Sequence, residues 1–164
     1  MKDLRKEIED IRRLLTAGAF RDEQHVRISL VTRICQALNW NVWDPTEYYT
    51  EYPVKQYPKN EVTAEYPGRV DVALILTENN PDTAEVFIEV KTPGKLQTEM
   101  QKGELQLQKY NFWDKSVISI LTDGITWRFY LPSLSGAFGG MLFNQLNLLT
   151  DDPDQICHVM ERVL

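Results

Sequence analysis

Two acidic residues and a lysine in the middle of the chain have the types and spacing that suit metal-assisted chemistry. Glu89 and Lys91 are separated by one residue at the end of an apolar segment, 84–91 (AEVFIEVK). Side chains at positions i and i+2 of a β-strand share a face, so this spacing predicts that the carboxylate and the ammonium project together. Val90, between them, is then expected to point into the core.

Asp71 lies in the preceding apolar segment, 69–77 (RVDVALILT), where burying an unpaired acid is costly. The turn-forming residues at 78–82 (ENNPD) predict that the two segments form an antiparallel hairpin. If the register of this hairpin places Asp71 beside Glu89, the two carboxylates repel, and a bound cation or a shared proton relieves that repulsion. Lys91 alone could compensate in part, and a divalent ion does so better. Carboxylate oxygens are hard ligands, which suit Mg²⁺ or Mn²⁺.

Such a site would suit phosphodiester hydrolysis, but the same residues also allow a plainer interpretation. A metal polarises the phosphate and activates a water, and a neighbouring lysine orients that water or stabilises developing charge. Glu-x-Lys alone is a weak signal, because an acidic hairpin with a surface ion pair between Glu89 and Lys91 has the same spacing. Spacing alone leaves both interpretations open.

The flanking segments predict helices around a sheet. Leu4, Ile8, Ile11 and Leu15 recur at helical spacing, which predicts an amphipathic helix over 3–17. A second helix is predicted over 22–39 with Asp22 as its N-cap, and short strands with irregular connections are predicted within 46–66. The remaining predicted elements are a polar helix at 97–111, strands at 116–121, 126–131 and 141–149, and a closing helix from Asp152-Pro153 to Leu164. This order predicts one mixed α/β domain over 1–164.

Composition restricts the function further. The net charge of −6 argues mildly against a protein that coats nucleic acid. The segment 91–130 nevertheless holds six Lys or Arg against four acids, which predicts either a local DNA contact or a solvated mixed face. No apolar run is long enough to span a membrane, and Cys35 and Cys157 are expected to be reduced, as in a cytoplasmic protein.

Taken in order, these pieces resemble the N-terminal nuclease domain of the restriction (R) subunits of type I restriction-modification enzymes, a branch of the PD-(D/E)xK nucleases. The resemblance covers roughly residues 20–131, with 1–19 as an added N-terminal amphipathic helix and 132–164 as a C-terminal strand and helix. The matching pieces are the helix 22–38 with Glu23 near its start and its Leu38-Asn39-Trp40-Asn41 end, the strand 69–74 with Asp71, the Glu89-Val90-Lys91 strand, the Gln106-x-x-x-Tyr110 pair and the strand-turn-strand at 117–130.

The resemblance implies a restriction-endonuclease-like mixed β-sheet flanked by helices, and a DNA endonuclease that depends on Mg²⁺ (or Mn²⁺). It implies the following roles: Asp71 and Glu89 as metal ligands together with the Val90 carbonyl, Glu23 as a support to the metal through water, Lys91 as the catalytic lysine, and Gln106 and Tyr110 near the site and the phosphate backbone. Without the resemblance, Gln106 and Tyr110 could be a polar helix face, and Glu23 a first-turn acid that meets the helix dipole.

The sequence departs from the family in two places, and other functions stay open. Val70, not proline, precedes Asp71, which this branch commonly allows. The chain has no P-loop or helicase motif, so neither a motor nor a nucleotide cofactor is predicted. One alternative is a catalytically weak or inactive module that binds nucleic acid or protein. Another is an interaction protein that pairs through the 3–17 helix, as a homodimer or with a partner protein. The intact set of Asp71, Glu89 and Lys91 favours the enzyme. The leading hypothesis is therefore a nuclease with DNA as its partner, from a phage, prophage or bacterial defence context.

Overall fold

The structure of the protein is a computed structural model that describes residues 3–54, 68–76, 84–134 and 136–164. The helices are α1 (Leu4–Thr16), α2 (Glu23–Val26), a π-helical turn (Arg27–Val31), α3 (Thr32–Ala37), α4 (Leu96–Trp113), a 3₁₀ turn (Phe138–Met141) and α5 (Pro153–Val163). The strands are β1 (Tyr48–Pro53), β2 (Arg69–Leu74), β3 (Val86–Val90), β4 (Ile118–Thr122), β5 (Thr126–Tyr130) and β6 (Leu142–Asn147). The predicted turn at 78–82 and residues 55–66 of the segment predicted to form short strands lie outside the described residues.

Six strands form one mixed sheet in the order β1-β2-β3-β4-β5-β6. β2 and β3 pair antiparallel, as the predicted hairpin requires. β3 and β4 pair in parallel, and α4 is the crossover that connects them. Parallel neighbours need such a connection because the chain must return to the same end of the sheet. The predicted mixed α/β fold with a sheet flanked by helices is therefore confirmed.

Each face of the sheet is covered by its own hydrophobic cluster. The first cluster joins α1, α3 and α5 to one face, and the second packs α4 against the other. Successive residues of β3 belong alternately to the two hydrophobic clusters. Ile88 and Val90 belong to the first cluster, and Phe87 belongs to the second. Glu89 and Lys91 therefore project on the α4 side of the sheet.

The apolar stripe of α1 is buried inside the chain. Ile8 and Ile11 have no exposed surface, and Arg33 of α3 pairs with Glu7 and Asp10 on the adjacent face of α1. The stripe is thus already covered by the protein's own core. It is not available as the surface for pairing with a second copy.

The helix predicted over 22–39 is interrupted, so that prediction was wrong in one respect. Asp22 caps its start by accepting a hydrogen bond of 2.8 Å from the His25 amide, as expected. The π-helical turn at Arg27–Val31 then separates α2 from α3. A π turn adds one residue, which rotates the residues before it by roughly 100° relative to a continuous α-helix. The spacing of apolar residues does not distinguish the two geometries.

The turn after β4 holds the start of α4 against the sheet. The buried Asp123 carboxylate accepts hydrogen bonds from the Leu96 amide at 3.1 Å and from the Thr126 amide at 2.9 Å. Gly124 completes this turn with a φ of +85°, in the left-handed region that favours glycine. Because Leu96 follows Lys91 by five residues, this contact also limits where the chain can go after β3.

Two further expectations concern the chain as a whole. None of the helices in the described ranges combines the length and the apolar character that crossing a membrane requires. Cys35 and Cys157 are free thiols, as predicted.

Gly103 allows α4 to lie close to the sheet, which gives a prediction about stability. A Cβ at this position would lie 2.5 Å from Cδ1 of the fully buried Leu121. Overpacking of this kind costs roughly 1–3 kcal/mol, whereas alanine in place of a helical glycine gains about 0.5–1 kcal/mol. We therefore expect Gly103→Ala to lower the free energy of unfolding, measured by urea denaturation.

Gly140→Ala is the matched control, because a Cβ there meets nothing within 4 Å. A Gly103→Ala variant as stable as this control would contradict the tight packing of α4 on β4.

Candidate active site

Glu89 and Lys91 form a buried ion pair at the end of β3. Lys91 Nζ lies 2.8 Å from Glu89 Oε1, and the two residues are only 4% and 3% exposed. Val90 is buried in the opposite core, as the strand alternation predicts. The alternative of an ion pair on the surface is therefore wrong for these two side chains.

The Asp71 carboxylate lies beside this motif. The β2–β3 register pairs Val72 with Ile88, so the next position along each strand brings Asp71 opposite Glu89. Asp71 Oδ2 accepts a hydrogen bond of 2.7 Å from the Val90 amide. The register that the sequence left open thus places Asp71 against the Glu-x-Lys backbone.

The negative charges of the Asp71 and Glu89 carboxylates are only partly balanced by the positive charges near them. Burial and the nearby charge of Asp71 raise the pKa of Glu89 to about 7, and Lys91 offsets only part of this rise. Burial also raises the pKa of Asp71, although the Val90 amide and the charges of Arg27 and Lys91 act in the opposite direction. Neighbouring acids with raised pKa values are typical of sites that bind a cation or hold a proton.

The donor set fits a divalent metal ion. Glu89 Oε2 is buried and has no hydrogen-bond partner within the part of the chain that the structure describes. Within that same part, no three His, Cys, Asp or Glu side chains form a metal-binding group. Mg²⁺ needs only one or two carboxylates, because it retains waters and takes phosphate oxygens from its substrate. Asp71 and Glu89, with the main chain of Val90, meet that requirement.

Two residues of α4 approach the same place from above the sheet. Tyr110 is 5% exposed, and the Gln106 side chain acts to lower the pKa of its phenol. Burial and the charges of Glu89 and Asp71 raise the pKa of Tyr110, so its phenol lies within the field of both carboxylates. Gln106 Oε1 is buried without a hydrogen-bond partner among the described residues. The predicted pair on α4 therefore lies near the acids.

Glu23 lies farther from the centre of the site. It is the exposed first residue of α2, and its charge contributes the smallest of the effects that raise the pKa of Glu89. Glu23 therefore lies at the rim of the candidate site. The water-mediated contact to a metal that the resemblance implied stays a prediction.

Two site residues were missed by the sequence analysis. Arg27 Nη1 lies 3.3 Å from Asp71 Oδ1 and also forms an ion pair with Glu51 of β1. Arg27 follows Glu23 by four residues, and this spacing on a helix was a signal that could have found it. Glu51 had no such signal, because its position depends on its unusual backbone conformation, with a φ of 55°.

The six-stranded mixed sheet flanked by helices is consistent with a restriction-endonuclease-like fold, as predicted. Among solved structures, the chain is similar to one in the cryo-EM structure of a DrdV–DNA complex, with a TM-score of 0.55 and 16% sequence identity. The similarity covers 96% of this chain and 13% of that chain, so this chain spans about an eighth of its length. No protein-family model and no curated protein sequence matches the chain. The finer relationship to the R subunits of type I enzymes stays a prediction.

The raised pKa of Glu89 predicts how the stability of the metal-free protein depends on pH. The pKa is about 7 in the folded protein against an ordinary value of 4.5. Between these values the folded protein holds a proton that the unfolded chain has released. The resulting stability is fully present below about pH 4.5 and is lost as the pH rises through 7, by on the order of 3 kcal/mol.

We expect urea denaturation in EDTA to show this fall between about pH 5 and pH 8 for the wild type and a smaller one for Glu89→Gln. Glu161→Gln, at an exposed position of α5, is the control and should behave as the wild type. The same pH dependence in all three proteins would contradict the raised pKa.

Proposed function

We propose that the protein is a metal-dependent endonuclease that hydrolyses phosphodiester bonds in DNA, a nuclease module like that of type I R subunits without a motor. The observation that carries the proposal is the gathering of Asp71, Glu89 and Lys91 at the ends of β2 and β3, with one buried Glu89 oxygen left without a partner among the described residues. The fold supports it, because the similar solved structure is a complex with DNA.

The carboxylates of Asp71 and Glu89 and the carbonyl of Val90 would hold Mg²⁺ or Mn²⁺. A bound ion of this kind polarises a phosphate and lowers the pKa of its water. Lys91 has three N–H donors, of which one is directed to Glu89 at 2.8 Å. The remaining donors can hold the attacking water or a phosphoryl oxygen as its negative charge increases.

Residues of α4 would bind the DNA backbone around this centre. The charges of Glu89 and Asp71 act on the Tyr110 phenol, and Gln106 lies one helical turn away from it, so the two would offer a phenol and an amide to phosphate oxygens. Lys102 and Lys109 are exposed and seven residues apart, so they share a side of the helix. This side supplies local positive charge in a chain whose net charge is −6.

A second candidate function is a module of the same fold that binds nucleic acid or a protein partner and has little cleavage activity. The net charge of −6 is compatible with such a module. A binding module also needs no free catalytic lysine. The ion pair between Lys91 and Glu89 is the observation that favours this candidate, because it uses much of the lysine charge.

Cleavage of supercoiled plasmid DNA separates the two functions. We expect the wild type to nick or cut plasmid with Mg²⁺ or Mn²⁺ and to stop when EDTA is added. Asp71→Asn and Lys91→Met should each lower the rate by about a hundredfold or more, since positioned proton-transfer and charge-stabilising groups contribute at least that much.

Lys6→Met, at an exposed position of α1, is the control for the lysine substitution and should cut as the wild type does. Equal cutting by all four proteins would indicate a contaminating nuclease and remove the assignment. Binding of labelled DNA without cutting by the wild type, measured by fluorescence anisotropy, would establish the binding module instead.

A further inference from the structure

Arg27 lies between two carboxylates at the rim of the site. Its Nη1 lies 3.3 Å from Asp71 Oδ1 and is in contact with Glu51 Oε1, and its Nη2 donates a hydrogen bond of 2.6 Å to Gln24 Oε1. The Arg27 side chain is 15% exposed. The guanidinium is therefore enclosed by acceptors and is poorly placed to contact DNA directly.

Two backbone irregularities bring this arginine and Glu51 together. Arg27 is the first residue of the π-helical turn, and Glu51 has a φ of 55° in the left-handed region, which is unusual for a residue with a side chain. The β1–β2 register pairs Thr50 with Val72 and Tyr52 with Val70, so Glu51 lies opposite Asp71. Strained backbone persists where the surrounding structure holds it, and such positions cluster at functional sites.

The contacts of Asp71 show what the arginine does there. One Asp71 oxygen accepts from the Val90 amide at 2.7 Å, and the other faces Arg27 at the longer distance of 3.3 Å. The same guanidinium nitrogen also pairs with Glu51, whose side chain is 48% exposed. Arg27 thus divides its charge between Asp71 and the neighbouring carboxylate.

We propose that Arg27 is a built-in counter-ion for the metal site. It neutralises Asp71 when no cation is bound and is displaced toward Glu51 when a divalent ion occupies the Asp71 oxygen. Glu51 acts through Arg27, by holding the guanidinium away from the metal position. This inference rests on the proposed function, because it takes Asp71 as a metal ligand. It adds two positioning residues to that site.

Mn²⁺ binding to the metal-free protein, measured by titration calorimetry, tests the inference without relying on cleavage. Arg27→Met keeps the length of the side chain and removes its charge. We expect this variant to bind Mn²⁺ about fivefold or more tightly than the wild type, the lower end of usual coupling between two sites. Its melting temperature in EDTA should be lower than that of the wild type, because Asp71 has lost its counter-ion, and Mn²⁺ should raise it by more.

Glu51→Gln tests whether Glu51 acts on the metal site through Arg27. This variant also provides a test of the proposal if Arg27→Met does not fold. We expect weaker Mn²⁺ binding, because Asp71 becomes the remaining carboxylate in contact with the guanidinium. In the double variant Arg27→Met/Glu51→Gln this loss should largely disappear. A loss of the same size in the double variant would show that Glu51 acts on the metal directly and would overturn its role through Arg27.

Arg33→Met is the matched control, because Arg33 also pairs with two carboxylates but does so between α1 and α3. Its Mn²⁺ affinity should equal that of the wild type. If the wild type binds Mn²⁺ and Arg27→Met binds it no more tightly, the counter-ion role of Arg27 is overturned while the proposed metal site stands. A wild type that binds no Mn²⁺ would overturn the proposed metal site and this inference with it.

Discussion

The buried ion pair between Glu89 and Lys91 sets the conditions that the surrounding structure must meet. Removing one partner of a buried pair is strongly destabilising, because it leaves an uncompensated charge away from water. Burial raises the pKa of both Glu89 and Asp71, although Lys91 and, at Asp71, Arg27 offset part of the rise. The two carboxylates are thus costly to hold ionised in the metal-free protein, and a divalent cation of the kind proposed above would lower that cost.

The topology of the sheet allows this costly arrangement. Parallel pairing with β4 supports the end of β3, where the Lys91 amide donates a hydrogen bond of 2.8 Å to the Thr122 carbonyl. The following residue, Asp123, binds the first amide of α4 and directs this helix back across the sheet. Gly103 then lets α4 lie close to β4. The same crossover helix places the Tyr110 phenol where burial and the charges of Glu89 and Asp71 raise its pKa.

Much of this arrangement could be predicted from the sequence because it follows from strand alternation. The spacing of Glu89 and Lys91 predicted a shared face, and the apolar residues around Asp71 predicted the paired strand. The π-helical turn could not be predicted, since it inserts a residue while Val26, Leu30 and Ile34 remain buried. The left-handed conformation of Glu51 is likewise a result of tertiary contacts. For this reason the position of Glu51 could not be predicted, whereas Arg27 could have been found from its spacing of four residues from Glu23.

The proposed site requires that Asp71 and Glu89 together hold one divalent cation at the end of β3. Anomalous diffraction from crystals soaked in Mn²⁺ would detect that cation. We expect a single strong peak within bonding distance of one oxygen of Asp71, one oxygen of Glu89 and the Val90 carbonyl. No peak at this position at a saturating Mn²⁺ concentration, with Lys91 still paired to Glu89, would contradict it.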